Sequence, residues 1–239
     1  MAILKKQSAP IFIYCLVLIG AILTAVALNR TVTVINQYAD QEVLHNIIID
    51  AGHGGVDGGA TSCSGTLESG INLQIALKLN DLLHLMGIKT TMIRTTDISV
   101  YTEGESIAAK KISDLKQRVK IVNNTSDAIL ISIHQNYFSD SRYSGAQVFY
   151  SDTADSIELA KDMQKKFILS LNKTSNRKTK KASKVYLMQH INCPGILVEC
   201  GFLSNPIEEL KLKDPVYQRK IACVMASVMN TYLATRNIT

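Results

Sequence analysis

The sequence predicts an α/β domain: a largely parallel, twisted sheet with helices on both faces. Two patterns carry this reading. Apolar runs of strand length alternate along the chain with segments of helical periodicity, the order expected of a parallel sheet. Several of those runs are continuously apolar, as strands covered on both faces are. Excluding the first thirty residues, roughly 200 of the 239 remain, enough for one sizeable core and few for two. The sequence contains no internal repeat.

His45–Asp50 reads as a short buried strand that runs into a glycine-rich loop. Glu68–Met86 reads as a helix, with Ile71, Ile75, Leu79, Leu82 and Leu83 on one face and Gly87 as its stop. Ile88–Ile93 is a second strand, Ser113–Asn123 a helix, and Ala128–Ile133 a third, nearly unbroken apolar strand. Gln147–Tyr150 follows as a strand. The next helix is capped at Ser151 or Asp152, with Ile157, Ala160, Phe167 and Leu171 at helical spacing. Val185–Met188 and Ile196–Val198 read as short strands. The last helix starts at Asp214-Pro215, a cap followed by proline at the first turn, and reaches about Tyr232.

The N-terminus differs from the rest. Lys5 and Lys6 precede an apolar run from Ile11 to Leu28 closed by Asn29 and Arg30, the pattern of an export signal. Eighteen residues as a helix span roughly 27 Å, enough to cross a bilayer core. Ala25 and Ala27 offer a small-x-small pair to a signal peptidase, so cleaved signal and retained membrane anchor both fit. The expected organisation is a signal or anchor over residues 1–30, a linker over 31–44 and a catalytic domain over 45–239. The catalytic part then works outside the cytoplasmic membrane, which excludes nucleic acid as partner although the net charge is +6. Acidic surfaces such as wall polymers remain open. The run Lys173–Lys184, with Arg177, Lys178, Lys180, Lys181 and Lys184, reads as a solvated loop that could also grip an acidic polymer. The five cysteines show no CxxC pair, and Cys223 reads as a buried small hydrophobe on its helix.

Ligands of an open α/β sheet bind beyond the carboxyl ends of its strands. His53 follows the first strand in Asp50-Ala-Gly-His-Gly-Gly-Val-Asp-Gly-Gly59. His134 ends the third strand, Glu199 ends the strand Gly-Ile-Leu-Val198, and Glu68 opens the helix after the first loop. Two imidazoles and a carboxylate suit a catalytic zinc with one open position, and a second carboxylate nearby suits a general base. Singly, each has a plainer explanation: a structural histidine, a carboxylate complementing a helix dipole, a surface ion pair. Their common placement at one sheet edge is what these explanations do not predict. A dinucleotide cradle fails on detail, because Asp57 stands where the third glycine belongs and the second strand runs into Arg94 instead of an acid.

Four motifs then make a family visible: Asp-Ala-Gly-His-Gly-Gly around His53, Leu-Glu-Ser-Gly-Ile-Asn-Leu around Glu68, Ser-Ile-His-Gln-Asn around His134, and Val-Glu-Cys-Gly-Phe-Leu-Ser-Asn around Glu199. From about Asn46 to Tyr232 the sequence resembles the N-acetylmuramoyl-L-alanine amidases, zinc hydrolases with a phosphorylase-like α/β fold. The resemblance implies one Zn2+ per chain on His53, Glu68 and His134, with Glu199 catalytic. Arg94 with Asp97 and Leu115 with Arg118 also match, as positioning or structural residues. The stretch Ser144–Tyr150 and the N-terminal anchor look most like the germination-specific branch (CwlD-type enzymes of spore formers), which implies a spore-cortex substrate and muramic δ-lactam formation. Ala51 stands where the family usually has proline. Other classes to weigh are another zinc wall amidase or peptidase, and a silent peptidoglycan-binding relative. Peptidoglycan is the expected partner, with the membrane through an uncleaved N-terminus and a regulatory or activating protein as further partners.

Overall fold

The computed structural model describes residues 8–39 and 45–236 and divides the chain into two units, Met1–Leu44 and His45–Thr239. Among its described residues the first unit holds one helix, α1 (Ser8–Ala39). Its window Ile13–Arg30 has mean hydropathy 1.9 and is long and apolar enough to cross a membrane. The helix continues past Arg30, where the sequence pattern predicted a linker. Between Thr31 and Ala39 there is no glycine or proline, so nothing local stops its propagation. The remainder of the expected linker, residues 40–44, lies outside the described residues.

The second unit runs β1 (Asn46–Ala51), α2 (Glu68–Leu85), β2 (Thr90–Met92), α3 (Ile107–Asn123), β3 (Ala128–Asn136), β4 (Gln147–Tyr150), α4 (Ala154–Ser170), β5 (Lys180–Lys181), α5 (Tyr186–His190), β6 (Gly195–Phe202), α6 (Pro206–Lys213) and α7 (Pro215–Arg236). The sheet order is β2-β1-β3-β6-β4-β5. Strands β1, β2, β3 and β6 are mutually parallel, whereas β4 is antiparallel to β6 and carries β5 beside it. Alternate residues of each strand face opposite sides. Ile47, Ile49, Ile131, Val148 and Val198 pack under α2, α4 and α7, and Ile48, Leu130 and Leu197 pack under α3 and α5. The expected two-faced, largely parallel sheet is therefore what forms.

Helix α2 buries Ile71, Ile75, Leu79 and Leu83. It ends in a double turn: Gly87 donates to His84 O (3.0 Å) and Ile88 to Leu83 O (2.9 Å). This closure needs the left-handed backbone that Gly87 adopts at φ +74°. Several elements depart from their sequence signals. Helix α3 begins at Ile107, earlier than Ser113, because Ser106 caps it through Ala109 N; its first turns expose Ile107 and Ile112 and so show no apolar stripe. Val185–Met188 is not a strand: residues from Tyr186 form the short helix α5, an ambiguity inherent in a short apolar run. Helix α6 was not anticipated, although Asn205 caps it and Pro206 opens it. In α4 the buried stripe includes Leu159 and Met163, while Ile157 and Leu171 are half-buried. Cys223 is exposed, not buried; the inward stripe of α7 is Ala222, Met225, Ala226 and Met229. All five cysteines are free thiols.

Candidate active site

Four elements, β1, α2, β3 and β6, deliver the four predicted side chains to the C-terminal edge of the parallel strands. His53 lies two residues past β1, Glu68 is the first residue of α2, and His134 and Glu199 face each other as register partners on β3 and β6. His53 Nε2 lies 3.3 Å from Glu68 Oε2, and His134 Nδ1 lies 3.0 Å from Glu68 Oε1. The two rings meet edge to face with centroids 5.0 Å apart. Potential ligand atoms of His53, Glu68 and His134 all lie within 4.8 Å of one another.

The backbone around His53 allows this convergence and is held tightly. His53 itself sits at φ +61°, a left-handed conformation a residue with a Cβ adopts only when its surroundings impose it. Two buried arginines impose it. Arg94 donates to Ala51 O (2.8 Å), Gly52 O (3.0 Å) and Ser69 O (2.8 Å). Arg118 donates to Ala51 O (3.0 Å) and His53 O (2.8 Å) while pairing with Asp50 and, at 2.6 Å, with Asp114. Gly52 is required for a different reason: a Cβ there would collide with the His134 ring. The absence of proline at Ala51 leaves the loop intact, because its carbonyl is fixed by both guanidinium groups.

Glu68 is almost fully buried and accepts from Ala60 N (2.9 Å), Asn72 Nδ2 (3.1 Å) and Gln135 N (3.1 Å) besides the two rings. Burial opposes its ionisation, but hydrogen bonds from His134 and His53 and their charge outweigh that, so its carboxyl sits well below the usual carboxylate range. His53 responds in kind. Burial would lower it, yet Glu68 and Asp57 bring it up to about 9. Asp57 Oδ2 accepts from His53 Nδ1 at 2.9 Å and its other oxygen meets Lys111 Nζ at 2.7 Å. Nε2 donates its proton toward Glu68; were a cation to replace that proton, the Nδ1 proton held by Asp57 would leave the Nε2 lone pair for the cation. A group of two imidazoles and one ionised carboxylate, already arranged to favour positive charge, suits a divalent cation with nitrogen and oxygen ligands.

Glu199 differs from Glu68. Its Oε2 is buried and accepts no hydrogen bond from the described residues. Burial pushes its carboxyl up to about 7, Glu68 adding to the shift and the histidines opposing it. A carboxylate that changes protonation near neutrality beside a cation site is suited to moving a proton. Asp57, Lys111, Asn72 and the Gln135 amide were not singled out from the sequence as parts of the site. Two of them carried a signal: Asp57 and Asn72 stand four residues after His53 and Glu68, within one turn of chain.

A parallel-stranded α/β domain with two histidines, a buried carboxylate and a protonatable acid at one strand edge has the makings of a hydrolase. The chain belongs to the N-acetylmuramoyl-L-alanine amidase family, which matches residues 47–230. It is an N-acetylmuramoyl-L-alanine amidase acting on peptidoglycan. It is 40% identical over 178 residues to the germination-specific N-acetylmuramoyl-L-alanine amidase of Bacillus subtilis, covering 74% of each chain. Among solved structures it is similar to the CwlD amidase of Clostridioides difficile in complex with the GerS lipoprotein, with TM-score 0.77, 40% identity and coverage of 80% of this chain and 99% of that one. An N-acetylmuramoyl-L-alanine amidase of Clostridium difficile 630 matches with TM-score 0.70, 32% identity and coverage of 81% and 98%.

Proposed function

We propose that this amidase is zinc-dependent and that it cuts the bond between the muramic acid lactyl group and L-alanine in spore cortex, the step that precedes muramic δ-lactam formation. His53, Glu68 and His134 would hold one zinc ion, which supplies Lewis acidity at the scissile carbonyl and a means of ionising water near neutral pH. The observation that carries the reading is the convergence of these three side chains beside Glu199. Glu199 takes a proton from the attacking water and returns it to the amine of the departing alanine, a role that its poise near neutrality supports. Asp57 keeps the His53 Nδ1 proton in place, while Asn72 and the Gln135 amide keep Glu68 from rotating out of the site.

The cortex substrate rests on the likeness to the germination-specific amidase of Bacillus subtilis. The likeness to a CwlD amidase in complex with a lipoprotein supports an extracytoplasmic protein partner for this chain as well. Residues 1–30 serve as export signal or membrane anchor, 31–44 as a linker that is helical as far as Ala39, and 45–239 as catalytic domain, in keeping with the exposed apolar helix near the N-terminus. The deciding experiment is product analysis on purified cortex peptidoglycan with and without a zinc chelator. Release of stem peptides with a free N-terminal alanine, abolished by chelator and restored by zinc, is the expected result. Release unaffected by complete chelation would remove the metal from the mechanism.

A further inference from the structure

The basic run Lys173–Lys184 finds no use in the chemistry above, and the structure sorts its members. Arg177 folds back, donating to Ser144 O at 3.0 Å and covering the Phe202 ring at 4.7 Å. Lys181 pairs with Asp152 at 2.8 Å. Lys184 alone of the run lines a cavity of about 370 Å³ whose wall also includes His53 and His134. The other cations of that wall are already engaged, Lys111 with Asp57 and Arg118 with Asp50 and Asp114. Lys184 has no ion-pair partner among the described residues.

Its position is set by local structure. Ala182 is buried, and Val185 N donates to Ala182 O at 3.2 Å, closing a tight turn that carries Ser183 and Lys184. Gln189 Nε2 staples that turn through Ser183 O at 2.7 Å. The cavity below is apolar on one side, with Leu115, Leu187 and Leu197 in its wall. A space bounded by two histidines of the cluster, an aliphatic wall and one unpaired ammonium matches a peptide with a carboxylate. The amide bond cut by this enzyme joins a sugar acid to the amino end of a peptide, so the leaving group carries its carboxylates away from the scissile bond.

We infer that Lys184 is a specificity-determining residue that pairs with a carboxylate of the stem peptide lying in the cavity beside His53 and His134. The inference rests on the amidase reading of this site. An ammonium is a compact donor that tolerates several carboxylate positions, which suits a peptide held flexibly at a rim. A partly exposed pair of this kind is worth roughly a three- to fivefold change in binding.

The test uses soluble muramoyl-peptide fragments in two forms, with peptide carboxyls free and with the same carboxyls amidated. For Lys184→Gln, KM on the free-carboxyl fragment should rise about three- to fivefold with kcat unchanged, and KM on the amidated fragment should stay at the wild-type value. Lys184→Arg should restore most of the loss. Zinc content and melting temperature of the full chain should match wild type, which separates substrate recognition from damage to the site. Equal losses on both fragments, or no loss on either, would overturn the inference. A wild-type protein that releases no peptide would instead count against the amidase reading. Binding of the two fragments to Glu199→Gln, with and without Lys184→Gln, then decides the role of Lys184 without turnover: a preference for free carboxyls lost with the lysine supports it, and its absence refutes it.

Discussion

Replacing Arg118 by methionine tests how the histidine loop is held. Arg118 is 2% exposed and its guanidinium pairs with Asp50 and Asp114 while donating to the carbonyls of Ala51 and His53. Methionine fills much of the same volume, so the cost comes chiefly from the charges left behind. Removing one partner of a buried ion pair costs about 3–5 kcal/mol, because the other charge stays in a poorly solvated place. For a domain of this size each kcal/mol moves Tm by about 2–4 °C, so a fall of roughly 6–20 °C is expected. The loss also depends on pH. In the native chain burial opposes ionisation of Asp50, but Arg118 above all holds its carboxyl below the ordinary value. That contribution is complete above the unfolded pKa of about 3.9 and disappears as pH falls through the lower folded value. In Arg118→Met, burial without the cation raises the Asp50 carboxyl, so the variant loses stability as pH rises above about 3.9. The gap between the two proteins should therefore widen from pH 4.5 to pH 7.5. Urea denaturation followed by far-UV circular dichroism measures it, the chain having no tryptophan. At pH 7.5 the double variant Asp50→Asn/Arg118→Met should recover part of the loss. A gap independent of pH, together with a double variant no more stable than Arg118→Met, would refute the argument.

Glu199→Gln should reduce kcat by at least ~100-fold while zinc content and fold stay at wild-type levels, as metal analysis and circular dichroism would show. His53→Ala and His134→Ala should lose both zinc and activity; wild-type zinc content in either would remove that residue from the ligand set. Gly52→Ala should abolish activity by driving the His134 ring from its place, with a melting loss of at least about 1–3 kcal/mol from overpacking. If Gly52→Ala retains wild-type turnover, the close contact with His134 has no role in the geometry.

Much of the site was legible because its residues occupy positions that local pattern identifies. His53, His134 and Glu199 each end or follow an apolar run, and Glu68 opens a helix with a clear buried stripe. Parallel strands place those ends on one edge of the sheet, and the adjacency of β1, β3 and β6 brings them within reach of one another. The residues that hold the site were harder to read. The family resemblance marks Arg118 as a positioning or structural residue, but what it positions becomes clear only when β1 places Asp50 and the His53 carbonyl against it. Lys111 becomes part of the site only through Asp57, 54 positions earlier in the chain. Helix α5 and the early turns of α3 were missed for a related reason: a short apolar run and an exposed amphipathic start carry no periodicity that decides between helix and strand.

The sequence by itself determined the alternation of strands and helices, the apolar N-terminal helix and the four side chains that can perform the chemistry. These follow from interactions between residues near in sequence: periodicity, caps and the residue types at strand ends. Tertiary structure decided the strand order, the antiparallel turn of β4 against β6, and which charges are spent in ion pairs. It also decided that Lys184, of the whole basic run, stands in the cavity with His53 and His134. Pairing and burial depend on groups far apart in the chain, and only the packed fold sets the distances that make one lysine a partner for Asp152 and leave another for substrate.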